Sequence, residues 1–158
     1  MLVGPVALDV GAEPGLLIEI SLRFTAVTAA GDMTTIRFDI ADHVATITLD
    51  RPDRMNSFNR TMCEELKSAW AAVRDTDDVH AVVLRAVGDR AFCTGLDVKE
   101  GAWWRDDNIW NHVDPGALIG PRSNKVWKPV ICAVQGMCAG GGQYLVNESD
   151  IVIASDDA

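Results

Sequence analysis

At 158 residues, 48% of them hydrophobic and 23% charged, the chain has enough apolar side chain for one packed domain. A net charge of −9 argues against nucleic acid and anionic membranes as partners, while leaving room for a local basic patch that holds a phosphate-bearing ligand. No apolar run approaches the roughly 20 residues of a membrane helix. Cys63, Cys93, Cys132 and Cys138 show no C-x-x-C spacing, so neither a zinc site nor a disulfide framework is indicated and no metal ligand set is read.

Residues 1–32 contain GLLIEISLRF with no basic residue ahead of it, which is unlike a secretory signal and leaves cytoplasmic residence as the default. Met33 reads as a natural start, so 1–32 is expected to be a non-core extension and 33–158 the core. Residues 36–40 and 44–49 are strand candidates joined at Asp42-His43, a hairpin turn on which His43 reads as a solvated residue. RPDRMNSF (51–58) is a polar, proline-bearing loop. Asn59 or Thr61 is placed to cap a helix, the latter with Glu64 as a capping box. Met62, Leu66, Ala69, Trp70 and Val73 recur at helical spacing as its core face, and Asp75, Asp77 and Asp78 end it in solvent.

Residues 80–86 (HAVVLRA) form the next strand, followed by Gly88 and then AFCTGLD (91–97). Residues 101–126 are irregular and hold Trp103, Trp104, Trp110, His112 and Pro115. A long segment of this kind inside a domain is usually functional or mobile. Pro129 leads into a continuous apolar run at 130–134, which reads as a fully buried strand. Gly136 breaks it, Gly140, Gly141 and Gly142 open a helix near 141–146, and 151–154 is a last strand. Strand, crossover and strand in this order imply parallel β-α units and an α/β fold.

Three glycines at a strand-to-helix turn leave backbone N–H groups bare at the positive end of a helix dipole, where an oxyanion or phosphate is favoured. Alone, such a triplet is most simply a flexible turn. A second strand–turn ending at Gly95 supplies another set of N–H groups, and two such turns are what a two-donor oxyanion hole needs. RPDRMNSF, AFCTGLDVKE (91–100), KPVICAVQGMCAGGG (128–142) and DIVIAS (150–155) together resemble the crotonase, or enoyl-CoA hydratase/isomerase, family, in order and at similar spacing. The resemblance covers about 33–158. It implies a crotonase-like spiral of ββα repeats, truncated before the C-terminal helical region that in the family completes the active site and builds trimers.

The resemblance further implies an acyl-CoA thioester as partner, with coenzyme A arriving as part of the substrate and no separate cofactor. By motif, the oxyanion donors are the N–H groups of Leu96 and Gly141. The CoA moiety is expected at Arg54, Met55 and Ser57 and at Ala91, Thr94, Gly95, Asp97, Val98 and Gly140, and Arg51, Arg54, Lys99 and Lys128 offer charge for phosphates. The irregular segment walls the acyl pocket in the family, so its tryptophans either shape that pocket or pack against the core. Hydratases of the family place a glutamate on the helix after the glycine triplet. Here Tyr144 stands in its place, and Glu148, one helical turn further on, is spaced to face the same side while matching no family position. A second family glutamate would lie beyond Ala158.

Two functions fit: a lyase or isomerase of enoyl-CoA hydratase/isomerase type, or a non-catalytic remnant that binds CoA esters without its bases. A nucleotide-binding reading fails on spacing, because Gly136-x-x-x-Gly140-Gly141-Gly142 is not G-x-G-x-x-G and no G-K-[ST] follows. Cysteine catalysis has no histidine near Cys93 or Cys138 in sequence to support it.

Overall fold

The structure is a computed structural model that describes residues 33–104 and 114–158. The expected extension at 1–32, together with Trp110 and His112, lies outside the described residues.

Strands β1 (Ile36–Ala41) and β2 (Val44–Leu49) form the expected antiparallel hairpin. Asp42 and His43 both take left-handed backbone, φ 49° and 66°, which suits a tight two-residue turn whose twist matches the strands. A 3-10 turn at Pro52–Arg54 leads to helix α1 (Arg60–Asp75). Asn59 caps α1, its side-chain oxygen accepting the Met62 N–H at 2.9 Å. Thr61 lies inside the helix, so the capping-box alternative does not form. The expected face of α1 is buried throughout, with Cys63 added to it.

Strand β3 (Ala81–Ala86) runs parallel to β2, with Val44 opposite Ala81 and Leu49 opposite Ala86. His80, expected in this strand, stands just before it. Strands β5 (Val130–Val134) and β7 (Ile151–Ala154) extend the sheet to the order β1-β2-β3-β5-β7, parallel from β2 onward. A separate two-stranded parallel sheet joins β4 (Ala91–Cys93) to β6 (Met137–Cys138). Helix α2 (Gly142–Asn147) follows β6, beginning at the third glycine of the triplet.

The short strands were not legible as strands, yet they complete the repeat. After β3 and again after β5 the chain turns at a left-handed glycine, Gly88 (φ 89°) and Gly136 (φ 53°), and enters the second sheet. A Cβ at Gly136 would sit 2.5 Å from the Arg90 carbonyl oxygen, so that turn has no room for a side chain.

The 130–134 run corrects one expectation. Val130, Cys132 and Val134 are buried, but Ile131 and Ala133 are only half-buried. Among the described residues α1 and its flanking segments cover one face of the sheet, and the strand alternates accordingly. Trp70 on α1 is core, as expected, and its indole N–H donates to the Ile119 carbonyl at 2.7 Å, tying the segment before β5 beneath the helix. At the sheet edge, Ile151 and Ile153 of β7 are exposed.

Candidate active site

Phe58 brings the two glycine turns together. Its N–H donates to the Gly95 carbonyl at 2.8 Å, and its carbonyl accepts the Asp97 N–H at 2.9 Å. This parallel bridge engages the residues on either side of Leu96 and turns the Leu96 N–H the other way. That N–H finds no acceptor among the described residues. Gly95 adopts φ 88°, and a Cβ there would stand 2.8 Å from the Gly141 nitrogen. A Cβ on Gly141 would in turn strike the Phe58 ring at 2.6 Å. Backbone contact between the turns therefore depends on both glycines.

At the second turn, Gly142, Gln143 and Tyr144 donate to the carbonyls of Ala139, Gly140 and Gly141 at 3.0, 3.1 and 3.2 Å. The Gly141 N–H, at the cap of α2, has no acceptor among the described residues. Leu96 and Gly141 line one open cavity of about 380 Å³, together with Phe58, Trp104, Asp114, Pro115 and Tyr144.

Tyr144 reaches this cavity with its hydroxyl donating to Asp114 Oδ2 at 2.8 Å. The other carboxylate oxygen of Asp114 accepts the Gly116 N–H at 2.8 Å. A Cβ on Gly116 would lie 2.0 Å from the Tyr144 ring, so glycine there makes room for the phenol. The hydrogen bond to Asp114 and that carboxylate's charge push the Tyr144 pKa above the ordinary tyrosine value, holding it as a neutral donor. Asp114 escaped the sequence reading. Its signal was the Asp-Pro dipeptide, a turn initiator, which is here the cap of the Pro115–Leu118 turn.

Glu148 does not join Tyr144. Its carboxylate accepts the Arg122 N–H at 2.9 Å and packs against Gly120, which corrects the idea that the two face the same side. Trp104 lines the cavity, whereas Trp103 meets it edge-on at 5.7 Å with the Arg60 guanidinium 5.4 Å over its own ring. Burial pushes the Cys63, Cys93 and Cys132 thiols up to about 12, so none supplies a thiolate near neutral pH.

The residues expected around CoA fall on two neighbouring strips. Met55 has left-handed backbone (φ 55°), and its carbonyl accepts both the N–H and the hydroxyl of Thr94, at 3.2 and 3.3 Å. The Ser57 hydroxyl donates to the Arg54 carbonyl at 2.8 Å. Met55 and Ala91 line a cleft of about 270 Å³. Val98 is exposed, and Gly140 (φ 53°) sits against the Thr94–Gly95 backbone. Asp97 is buried: one oxygen caps the Lys99 N–H at 3.1 Å and the other pairs with Arg51 at 3.0 Å. Arg51 also bonds Glu100 at 3.1 Å and the Ser57 carbonyl at 2.6 Å, and Lys128 binds the carbonyls of Val73 and Thr76 at the end of α1. Both cations thus hold the fold together, which leaves Arg54 and Lys99 as the exposed ones of the expected four. Asn56 was also missed. Buried, with φ 51°, it accepts the Arg51 N–H and donates to the carbonyls of Val87 and Ala91, each at 2.9 Å.

Comparison with known proteins bears on this geometry. The family model described as "Enoyl-CoA hydratase/isomerase" matches residues 39–158. The chain belongs to the enoyl-CoA hydratase/isomerase family. It is 35% identical over 123 residues to an (E)-benzylidenesuccinyl-CoA hydratase of Thauera aromatica, covering 78% of this chain and 48% of that protein. It is 33% identical over 119 residues to a mevalonyl-coenzyme A hydratase of Aspergillus fumigatus, covering 73% and 43%. Among solved structures, an enoyl-CoA hydratase/isomerase from Mycobacterium paratuberculosis superposes with a TM-score of 0.66 at 36% identity, over 80% of this chain and 47% of that one. An enoyl-CoA hydratase from Bacillus anthracis gives 0.67 at 30% identity, over 79% and 49%. The chain therefore has the crotonase fold over the described residues and spans about half the length of these relatives.

Proposed function

We propose that this chain binds an acyl-CoA thioester with its carbonyl oxygen between the N–H groups of Leu96 and Gly141, and that these donors stabilise the enolate charge of an enoyl-CoA hydratase/isomerase-type reaction. The observation that carries this reading is that both N–H groups lack acceptors among the described residues while both residues line one cavity. Backbone donors are held by the fold and need no reorganisation as charge develops; each such donor is typically worth about 3 kcal/mol in the transition state. The CoA moiety runs along Arg54, Met55, Ser57, Ala91, Thr94, Gly95, Asp97, Val98 and Gly140 and enters with the substrate. Cytoplasmic residence is part of the same proposal.

Proton transfer falls to Tyr144 and Asp114. Tyr144 is a neutral donor, and Asp114 supplies a carboxylate to a cavity in which the family's glutamate position carries a phenol. This carboxylate favours a catalytic reading over a binding module without turnover. The test is to titrate the protein into a conjugated enoyl-CoA and follow its absorbance. A saturable red shift reports carbonyl polarisation, and loss of the conjugated band reports hydration. A shift without turnover selects the binding module, and no saturable shift overturns the proposal.

A further inference from the structure

Away from the cavity, three metal-ligating side chains converge where β2 and β3 begin. His43 and His80 each precede the first register pair of the parallel β2–β3 ladder, Val44 opposite Ala81. The His80 N–H donates to the His43 carbonyl at 2.7 Å, extending that ladder by one bond. Their imidazole rings lie side by side, centroids 4.6 Å apart and planes within 7°. That separation is close to the ~4.8 Å between neighbouring strands, so the sheet itself sets it. Asp78 completes the group: His43 Nδ1 lies 2.9 Å from Asp78 Oδ1 and 3.1 Å from the Asp78 carbonyl oxygen. Buried Val79 anchors the chain between Asp78 and His80.

The donor atoms of His43, Asp78 and His80 all lie within 4.8 Å of one another, and all three side chains are exposed. A face-to-face stack is the less favoured way for two aromatic rings to meet. A shared cation gives the arrangement a purpose, since imidazole and carboxylate are the usual mixed donors for zinc-like ions. Tetrahedral zinc–nitrogen bonds of about 2.0–2.1 Å put donors about 3.3 Å apart, a closure of roughly 1–1.5 Å from the present spread. Exposed side chains reach that by rotamer adjustment while the backbone stays in place. The sequence reading treated His43 as a solvated turn residue because nothing local in sequence reveals His80, which only the parallel register brings alongside.

We propose that His43, Asp78 and His80 form a binding site for one divalent transition-metal ion of the zinc type, with water filling the remaining position. The ion links the β1–β2 turn to the start of β3 and to the turn after α1, and so acts as a clasp across the first residues of β2 and β3. Calorimetric titration of the 158-residue protein with zinc chloride, paired with melting curves, tests it. Parent protein is expected to bind one Zn²⁺ saturably with a rise in Tm, and Mg²⁺, which prefers oxygen donors, to give neither. His43→Asn, which keeps a residue tolerant of left-handed backbone, and His80→Ala should each weaken binding at least about tenfold. Asp78→Asn should weaken it several-fold, and the double histidine variant should lose the Tm rise. Circular dichroism of the variants checks that they fold. The proposal is overturned if the folded double variant binds Zn²⁺ as the parent does, if Asp78→Asn binds unchanged, or if the parent shows no saturable binding by about 1 mM.

Discussion

Tyr144 and Asp114 are joined by a hydrogen bond of 2.8 Å in the lining of the candidate active site, although 29 residues separate them in the chain. The bond couples a helix that follows the glycine triplet to the cap of a 3-10 turn in the irregular segment. It gives the cavity a neutral donor and a carboxylate in contact, the two kinds of group that general acid–base chemistry uses.

Tyr144 is the only tyrosine in the sequence, so its ionisation can be read directly from near-ultraviolet absorbance. The Asp114 hydrogen bond, with that carboxylate's charge, raises its pKa, so the parent should titrate above the ordinary value of about 10. Asp114→Asn removes the charge, and the midpoint should fall. Because the folded pKa is the raised one, this contact is intact below the ordinary tyrosine range and is lost as pH climbs through the folded value. An unchanged or higher midpoint in folded Asp114→Asn would show that the carboxylate does not govern the phenol.

The donor assignment is tested by removing one N–H at a time. Proline carries none, so Gly141→Pro and Leu96→Pro should each reduce polarisation or turnover of an enoyl-CoA by about 10²–10³-fold. Leu96→Met keeps its N–H and should be mild. Gly141→Ala separates sterics from hydrogen bonding: it keeps the N–H but drives a methyl toward the Phe58 ring, 2.6 Å from where its Cβ would stand. A folded Gly141→Pro variant that polarises substrate like the parent would refute the assignment.

Much of the architecture was legible because β2 and α1 each follow one apolar period and β7 is a short apolar run. The two glycine turns were legible because glycine is needed where Gly95 and Gly141 meet, and a motif records that need. Strands β4 and β6 were not, since three and two residues carry no period. Half-burial of Ile131 depends on what covers each face of the sheet, which the run VICAV does not encode. Asp114, Asn56 and the His43–His80 pair depend on partners 30 or more residues away or on strand register, and such contacts leave no local mark.

Asn56 should matter more to stability than its place in a polar loop suggests. One of its three hydrogen bonds closes the loop before α1 on itself, and the other two tie that loop to the residue after β3 and to the start of β4. Asn56→Ala leaves those buried groups unpaired and puts alanine at φ 51°; a cost of about 2–3 kcal/mol in denaturant unfolding is expected. Asn56→Gly removes the same hydrogen bonds but fits φ 51° without strain. If the glycine variant is as stable as the parent, the amide bonds contribute little.

The exposed face of β7 predicts association. Ile151 and Ile153 are 54% and 61% exposed on a strand that, among the described residues, is the last of its sheet, and such edges pair with other chains. The 158-residue polypeptide should show concentration-dependent mass in light scattering. Ile153→Lys places a charge on that edge and should reduce it. A parent that stays monomeric across the concentration range would count against the edge as the sticky surface.

Glu65 makes the hairpin's attachment to α1 sensitive to acid. Its carboxylate accepts the N–H groups of Thr34, Thr35 and Ile36 at 2.7, 2.9 and 3.2 Å and both threonine hydroxyls. Burial pushes its pKa up, but the hydrogen bonds from Thr35 and Thr34 outweigh this and hold it below the ordinary 4.5. The folded value is therefore the depressed one. Its contribution is fully present above the ordinary glutamate range and is lost as pH falls through the folded pKa. Glu65→Gln keeps one acceptor and loses the charge, so near neutral pH it should be less stable by about 1 kcal/mol, a figure already reduced for the side chain's exposure to solvent. Melting both proteins from pH 7 downward should show the gap closing once the pH drops below about 4.5. A gap that stays constant to the acid end would mean that Glu65 acts through packing and not through its charge.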